Sequence, residues 1–253
     1  NMNHTNSSQD HWETNFLRND VQKLFYPLHL MLKLSFSAKF KIRDNLISPI
    51  GSIYSIFIAI YHFMLIIFYI GFEFYDTSTI YAFLIFFISF YYSGYILLFV
   101  LNILNSHNEI NFILTIQSVY KIINFNKYIR SFIIWNWILV FSAIAINLFL
   151  YMFYYTTHNN FDFLDFICDF IFMTLNTNLV YGLRVIIFLK QYLDIWSENV
   201  LALSNEEKNS ERCEQMFVAY QNIMHAYELY KNNYHILVRF KCFLHHFITL
   251  LPR

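Results

Sequence analysis

Residues 131–161, SFIIWNWILVFSAIAINLFLYMFYYTTHNNF, contain no Asp, Glu, Lys or Arg. Such a run exceeds the roughly 20 residues that an α-helix needs to cross the hydrocarbon core of a bilayer. Charge-free runs also occupy 45–72 and 77–108, and a fourth apolar stretch carries its few charges toward its two ends. The sequence therefore predicts an all-α fold, a polytopic transmembrane helical bundle with four complete spans and additional cytoplasmic helices. The spans are placed near 50–72, 80–104, 132–155 and 164–189.

The amino-acid composition agrees with this class and excludes others. Apolar residues make up 57% of the chain and charged residues 13%, far from the composition of a soluble domain. The formal net charge is zero, so charge gives no indication of a nucleic-acid partner, and we expect none. The three cysteines, Cys168, Cys213 and Cys242, have no metal-ligand spacing and predict no disulfide framework. We expect no metal and no cofactor.

The basic residues fall on one side of the predicted spans. Short loops rich in Lys and Arg stay in the cytoplasm. The loops near 73–79 and 156–163 contain neither residue type. We therefore expect a multi-pass protein of the cell membrane with a cytoplasmic N-terminus, in which the sequons at Asn3 and Asn6 stay unmodified. The basic residues that set this direction are Arg18, Lys23, Lys33, Lys39, Lys41 and Arg43 before span one, Lys121, Lys127 and Arg130 after span two, and Lys208, Arg212, Lys231, Arg239 and Lys241 after span four.

The chain divides into four predicted parts. In the first part, the apolar stripe within 21–32 is expected to lie on the inner membrane surface. Because the chain stops at Arg253, the last part is expected to be a fifth membrane helix that is cut short. The parts are a cytoplasmic N-terminal segment (1–49), a four-helix transmembrane region (50–190), a cytoplasmic helical segment (191–235) and the start of a possible fifth membrane helix (236–253).

Apolar residues recur in steps of three and four along 105–130 and 212–238. This spacing predicts helices that pack on one another, with spans two and three continuing as helices past the membrane. Two interpretations of the second stripe stay open: packing on its own chain, or a seam between subunits. The candidate subunit-contact residues are Phe217, Tyr220, Met224 and Tyr227.

No nucleophile elbow, Gly-rich phosphate loop or HExxH motif occurs, and we expect no enzymatic activity. Polar side chains within the spans are better candidates for function, because each costs free energy in lipid. Simpler interpretations are hydration from outside for the carboxylates, and an interfacial belt or packing for the tyrosines. Arg184 is expected to extend to the headgroups. The candidate ligand-binding residues are Tyr91, Tyr92, Asn147, Tyr151, Tyr154, Asp165, Asp169 and Asn176.

Four segments carry a resemblance to a known family. Lys23–Leu28 reads KLFYPL, and Lys41–Pro49 reads KIRDNLISP just before span one. Arg184–Leu193 closes span four, and Tyr220–Tyr234 leads toward the fifth helix. Together with the inside N-terminus, this organisation resembles the insect gustatory receptor family, within the insect chemoreceptor superfamily, over most of the chain.

The resemblance implies a seven-helix protein, inverted relative to G-protein-coupled receptors. Such subunits assemble as homo- or hetero-tetramers in membrane lipid and form ligand-gated cation channels that respond to small-molecule tastants bound in their outer half. The family's pore-lining last helix carries a Thr-Tyr…Gln-Phe pattern that this chain does not contain, so we expect an N-terminal portion lacking the pore-lining helices. The alternative is a small polytopic membrane transporter or another non-enzymatic membrane protein.

Overall fold

The computed structural model of the protein describes residues 15–51, 93–123, 125–158, 163–204 and 210–250, together with positions 53, 56, 57, 60 and 64. These residues are mostly helical, which confirms the predicted all-α class; a short hairpin is an addition that the sequence did not predict. In chain order the elements are α1 (Asn19–Leu34), β1 (Phe40–Arg43), β2 (Leu46–Pro49), α2 (Ser93–Leu104), α3 (Ser106–Ile122), α4 (Asn126–His158), α5 (Phe163–Ser204) and α6 (Ser210–Leu250).

α1 is an amphipathic helix whose apolar side chains recur at the spacing of one helix face. Asp20 lies in its first turn and Lys33 in its last turn, each with the sign that the helix dipole favours. The helix is followed by a left-handed residue, Phe36, with φ 53°. The Phe36 amide donates to the Lys33 carbonyl at 3.2 Å and the Ser37 amide to the Leu32 carbonyl at 2.8 Å. These two bonds form the Schellman closure of a helix C-terminus.

The apolar stripe of α1 is buried in protein, which corrects its predicted position on the inner membrane surface. The Phe25 ring meets the rings of Phe112 on α3 and Phe188 on α5, at centroid distances of 6.3 and 5.7 Å. Burying each such side chain contributes about 1.5–3 kcal/mol, so the stripe is a large source of stability for this arrangement. The stripe residues are each at most 2% exposed: Val21, Leu24, Phe25, Leu28, Met31 and Leu32.

β1 and β2 form a two-stranded antiparallel hairpin in which Arg43 pairs with Leu46. The two residues between them, Asp44 and Asn45, have φ values of 53° and 62°. Positive φ at both central positions is typical of the type I′ turn, which matches the twist of a two-residue hairpin, and Asp and Asn tolerate it better than most residues. Ile47 of β2 is 1% exposed, so the hairpin packs one face on the core.

α6 packs against both α3 and α5. At one end of this contact, the Trp196 indole of α5 donates to the Met216 carbonyl of α6 at 2.8 Å. Further along, Gly182 of α5 lies so close to Tyr234 of α6 that an added Cβ would stand 2.8 Å from the ring. Small residues therefore allow the close approach of these helices. The buried side chains of α6 recur in steps of three and four: Met216, Ala219, Ile223, Ala226 and Leu229.

α4 carries a largely apolar surface that the described part of the chain leaves mostly uncovered. Its segment Tyr128–Thr157 has a mean hydropathy of 2.1, and 11% of its most apolar window is buried. Among the residues that the structure describes, it is the one helix long and apolar enough to cross a membrane. Its described buried residues, Phe132, Asn136 and Val140, all lie in its first half.

The other predicted spans are described only in part. Span one lies outside the described residues apart from its isolated positions, and α2 corresponds to the end of span two. α5 covers 164–189 without interruption and continues to Ser204. A turn at Asn105 separates α2 from α3, so span two does not run on into α3 as the single helix that the sequence predicted.

Candidate functional site

Lys39 and Glu109 form an ion pair that is buried inside the protein. The Lys39 Nζ lies 3.0 Å from the Glu109 Oε1, and the two side chains are 4% and 3% exposed. Lys39 belongs to the connection between α1 and β1, whereas Glu109 lies in the first turn of α3, where the helix dipole favours a negative charge. The Lys39 ammonium also donates to the Asn102 Oδ1 of α2 at 3.0 Å. The pair therefore joins three separate segments of the chain.

Two tyrosines enclose this pair. The Tyr181 hydroxyl of α5 donates to the Glu109 Oε2 at 3.5 Å. The Lys39 Nζ lies 4.6 Å from the ring centroid of Tyr234 on α6, a distance at which the face of an aromatic ring attracts a cation. The Glu109 Oε1, the Asn102 Oδ1 and the face of the Tyr234 ring thus match the three donors of the Lys39 ammonium group.

The Tyr234 hydroxyl remains protonated beside the carboxylate. Burial first, and the negative charge of Glu109 second, raise the pKa of Tyr234 well above its usual value. Although Glu109 is near, the Tyr234 hydroxyl has no partner in hydrogen-bond geometry within the described residues. Its contribution to the site is therefore the ring, which packs over the ammonium.

We call Lys39, Asn102, Glu109, Tyr181 and Tyr234 the ion-pair cluster. It connects the N-terminal segment with α2, α3, α5 and α6. Desolvating an ion costs several kcal/mol, and this cost is offset only when good geometry and further hydrogen bonds satisfy the charge. Any rearrangement that separates the two charges is therefore expensive, and the cluster favours a single arrangement of these five segments.

A second set of polar contacts joins the end of α1 to the middle of α5. The Thr174 hydroxyl donates to the Ser35 carbonyl at 2.9 Å, and the Thr177 and Ser35 hydroxyls lie 3.0 Å apart. The Asn178 amide donates to the Ser37 hydroxyl. All five side chains are buried, so these bonds form away from water. These hydrogen bonds fix the axial position of the C-terminal end of α1 relative to α5.

Asn136 of α4 makes a third connection. Its Nδ2 donates to the Leu24 carbonyl of α1 at 2.9 Å, and its Oδ1 accepts from the Arg184 Nε at 2.5 Å. The Arg184 guanidinium lies 4.1 Å from the ring centroid of Phe132. Arg184 is therefore held between α4 and α5, beside Phe132 at the predicted inner end of span three. Its extension to the headgroups stays a prediction.

A cavity of about 480 Å³ opens beside the ion-pair cluster, and we call it the basic cavity. Three lysines line it, Lys33, Lys39 and Lys41, together with His29. The His29 ring stacks on Phe40 at a centroid distance of 4.8 Å. Burial, and then the charge of Lys33, lower the pKa of His29 from 6.5 to about 4, so its imidazole is neutral near pH 7.

The predicted ligand-binding residues are not brought together by the part of the chain that the structure describes. Tyr91 and Tyr92 lie outside it, and so do the side chains of Tyr154, Asp165 and Asp169, whose backbones belong to α4 and α5.

The three other predicted ligand-binding residues lie on α4 and α5. Tyr151 of α4 and Asn176 of α5 are half-buried. The Asn147 amide donates to the Ala143 carbonyl of its own helix at 2.6 Å, so one of its donors is used locally. A ligand role for all eight residues stays a prediction.

The predicted subunit-contact residues lie along one stripe of α6, at the edge of its buried face. Phe217 is 59% exposed, and Met224 and Tyr227 are each 39% exposed. Tyr220 is half-buried and packs on Trp196 of α5 at a centroid distance of 4.9 Å. α6 therefore packs on its own chain through one face and leaves an apolar stripe on the next, which remains a predicted contact between subunits.

Sequence reasoning did not single out the ion-pair cluster. Lys39 stands in the sequence as one of several basic residues before span one, and its partner Glu109 is 70 positions away. The available signal was Glu109 itself, the first charged residue after the run 77–108. Glu109 marks a position at which a charge costs free energy, but the sequence does not identify its partner.

Comparison with known proteins gives no match, since no family model, no curated protein and no solved structure is significantly similar to the chain. Within the described ranges, no group of three or more His, Cys, Asp or Glu side chains is placed to hold a metal ion.

Proposed function

We propose that the chain is a multi-pass subunit of a chemosensory, ligand-gated cation channel of the insect gustatory receptor kind, with its N-terminus in the cytoplasm. The observation that carries the proposal is the surface of α4. A helix of mean hydropathy 2.1 with 11% of its apolar window buried is unlike the core helix of a soluble protein, which is mostly covered. Lipid is the solvent that suits such a surface.

The four spans of this proposal are 50–72, 80–104, 132–155 and 164–189. In this proposal α4 would supply the third, α5 the fourth and α2 the end of the second. Among the described residues, α4 is the one helix that is long and apolar enough by itself to cross a membrane. At about 1.5 Å per residue, the 42-residue α5 is roughly 60 Å long, about twice the thickness of the hydrocarbon core. The excess is expected to extend into the cytoplasm beside α3 and α6.

The proposed orientation of the chain across the membrane agrees with the positions of its buried residues. The buried residues of α4 lie in its first half, and the ion-pair cluster and Asn136 tie the N-terminal segment to that same side. This side carries the basic residues, which favours a cytoplasmic position for the N-terminal segment. Its contacts with Asn136 and Thr174 also reach into the proposed spans three and four. A tastant bound in the outer half, near Asp165 and Asp169, would therefore act beside the second half of α4, in which no described side chain is buried.

Assembly into a tetramer would use the uncovered stripe of α6. Phe217, Met224 and Tyr227 are exposed apolar side chains on a cytoplasmic helix, where lipid is not available to cover them. A second subunit would bury them.

The function is tested by voltage-clamp recording from cells that express the complete reading frame. Sugars and bitter compounds are applied in turn, and at least one is expected to evoke a cation current. Asp169→Asn is expected to change the ligand concentration for half-activation, whereas the exposed Glu228→Gln leaves it unchanged. Absence of current from protein that has reached the cell surface would refute the channel function, and solute uptake without current would favour the transporter alternative.

A further inference from the structure

We propose that the basic cavity binds a phosphate-bearing anion, of the kind carried by a phosphorylated lipid headgroup or by a soluble inositol phosphate. The cavity lies between the C-terminal end of α1, the start of the hairpin and the last turns of α2. Its volume of about 480 Å³ falls within the range of about 300–1,000 Å³ that small-molecule sites occupy.

The charge of the cavity favours an anion. Its described lining residues include Lys33, Lys39 and Lys41 and contain no Asp or Glu. Lys39 is neutralised by Glu109. Lys33 and Lys41 are exposed, and within the described part of the chain neither has an ion-pair partner. Two lysines without an ion-pair partner therefore line one concave site.

His29 also lines the cavity, with its ring stacked on Phe40. Its Nδ1 is shielded from solvent, so this atom does not face a ligand in the cavity. Recognition of the anion is therefore assigned to the lysines.

The wall of the cavity explains how an acyl chain could accompany the phosphate. Phe99 and Ile103 of α2 give the cavity an apolar part. An apolar wall beside a basic floor matches a lipid whose headgroup is phosphorylated, and basic pockets at the cytoplasmic ends of membrane helices bind such headgroups. The lipid source rests on the proposed orientation, whereas recognition of the phosphate by Lys33 and Lys41 does not.

Binding is measured on the purified protein in neutral detergent micelles. The probes are a short-chain phosphatidylinositol bisphosphate, inositol trisphosphate and a short-chain phosphatidylcholine. The test variant is the double substitution Lys33→Gln and Lys41→Gln, and its matched control is Lys23→Gln with Lys121→Gln, which removes the same charge from exposed positions outside the cavity. Because all four lysines are exposed, both variants are expected to fold.

The bisphosphate lipid is expected to bind the unmodified protein and the control alike. The test variant should lose about thirty-fold in affinity, the effect of two lysines at the usual strength of one headgroup attraction each. Inositol trisphosphate binding as tightly as the lipid would identify a soluble source, and binding of the lipid alone would identify the membrane. Failure of both phosphorylated probes to bind, equal binding of phosphatidylcholine, or equal losses in the two variants would overturn the proposal. None of these readouts depends on a tastant or a current, so the gustatory function can fail independently.

Discussion

Replacing Lys39 by Met is expected to destabilise the protein severely. The substitution removes the ammonium that lies 3.0 Å from the Glu109 carboxylate, in a site where that carboxylate is 3% exposed. Tyr181 would remain as a partner, at 3.5 Å. Removing one member of a buried ion pair usually costs about 3–5 kcal/mol, because the other charge stays buried without compensation. This is a large part of the total stability of a typical domain, about 5–15 kcal/mol.

The double variant Lys39→Met with Glu109→Leu is expected to recover most of the loss. With both charges gone, no desolvated ion remains, and hydrophobic replacements of buried pairs are often neutral or stabilising. The losses of unfolding free energy in Lys39→Met and Glu109→Leu should therefore add up to several kcal/mol more than the loss in the double variant. The chain offers a matched control in the exposed pair Lys231–Glu228, which is separated by 3.4 Å with side chains 52% and 53% exposed. Lys231→Met is expected to cost less than about 1 kcal/mol.

The assay is unfolding of the purified protein in detergent micelles, followed by tryptophan fluorescence against denaturant. It is run on Lys39→Met, Glu109→Leu and their double variant, on the control Lys231→Met, and on the unmodified protein. A Lys39→Met loss no larger than that of Lys231→Met would show that the pair does not hold the five segments together. Additive losses in the Lys39–Glu109 double variant would lead to the same conclusion.

Three further predictions concern local features. As the pH falls from 6.5 to about 4, the unfolding free energy should fall by up to about 3 kcal/mol, because His29 binds a proton in the unfolded protein but not in the folded one. In a series of unfolding measurements across this pH range, His29→Gln should not show this fall. Gly182→Ala should destabilise by about 1–3 kcal/mol by pressing on the Tyr234 ring, and a Tyr234→Leu background should abolish that loss, which a double-variant unfolding cycle measures. Phe36→Gly should be more stable than Phe36→Ala by about 1 kcal/mol in thermal unfolding, since only Gly adopts the observed φ of 53° without strain, and equal stabilities would contradict this reasoning.

Helices were predictable from the sequence because their signal is local. Charge-free length indicated the helix at 132–155, and steps of three and four indicated helices within 105–130 and 212–238; α4, α3 and α6 occupy these regions. The hairpin also had a local signal, the Asp44-Asn45 pair between Ile42 and Ile47. It was missed because this segment was interpreted through its charge and its family resemblance and not through its turn residues.

The partners of each surface were not predictable in the same way. The stripe of α1 is equally suited to lipid and to protein, and only the fold shows Phe25 against Phe112 and Phe188. The same limit applies to Lys39, whose charge indicates topology in the sequence and forms a buried pair in the structure. Periodicity shows which face is apolar, whereas long-range packing decides what covers it.

The direction of the chain across a membrane is tested by cysteine labelling in intact cells with a membrane-impermeant maleimide. Thr157→Cys lies at the predicted outer end of span three, and Ser118→Cys is exposed on α3 at the predicted inner side. Relative to the unmodified protein, Thr157→Cys should gain label in intact cells, and Ser118→Cys should gain label only after permeabilisation. Label on Ser118→Cys in intact cells, with Thr157→Cys protected, would contradict a cytoplasmic N-terminus and the receptor class proposed with it.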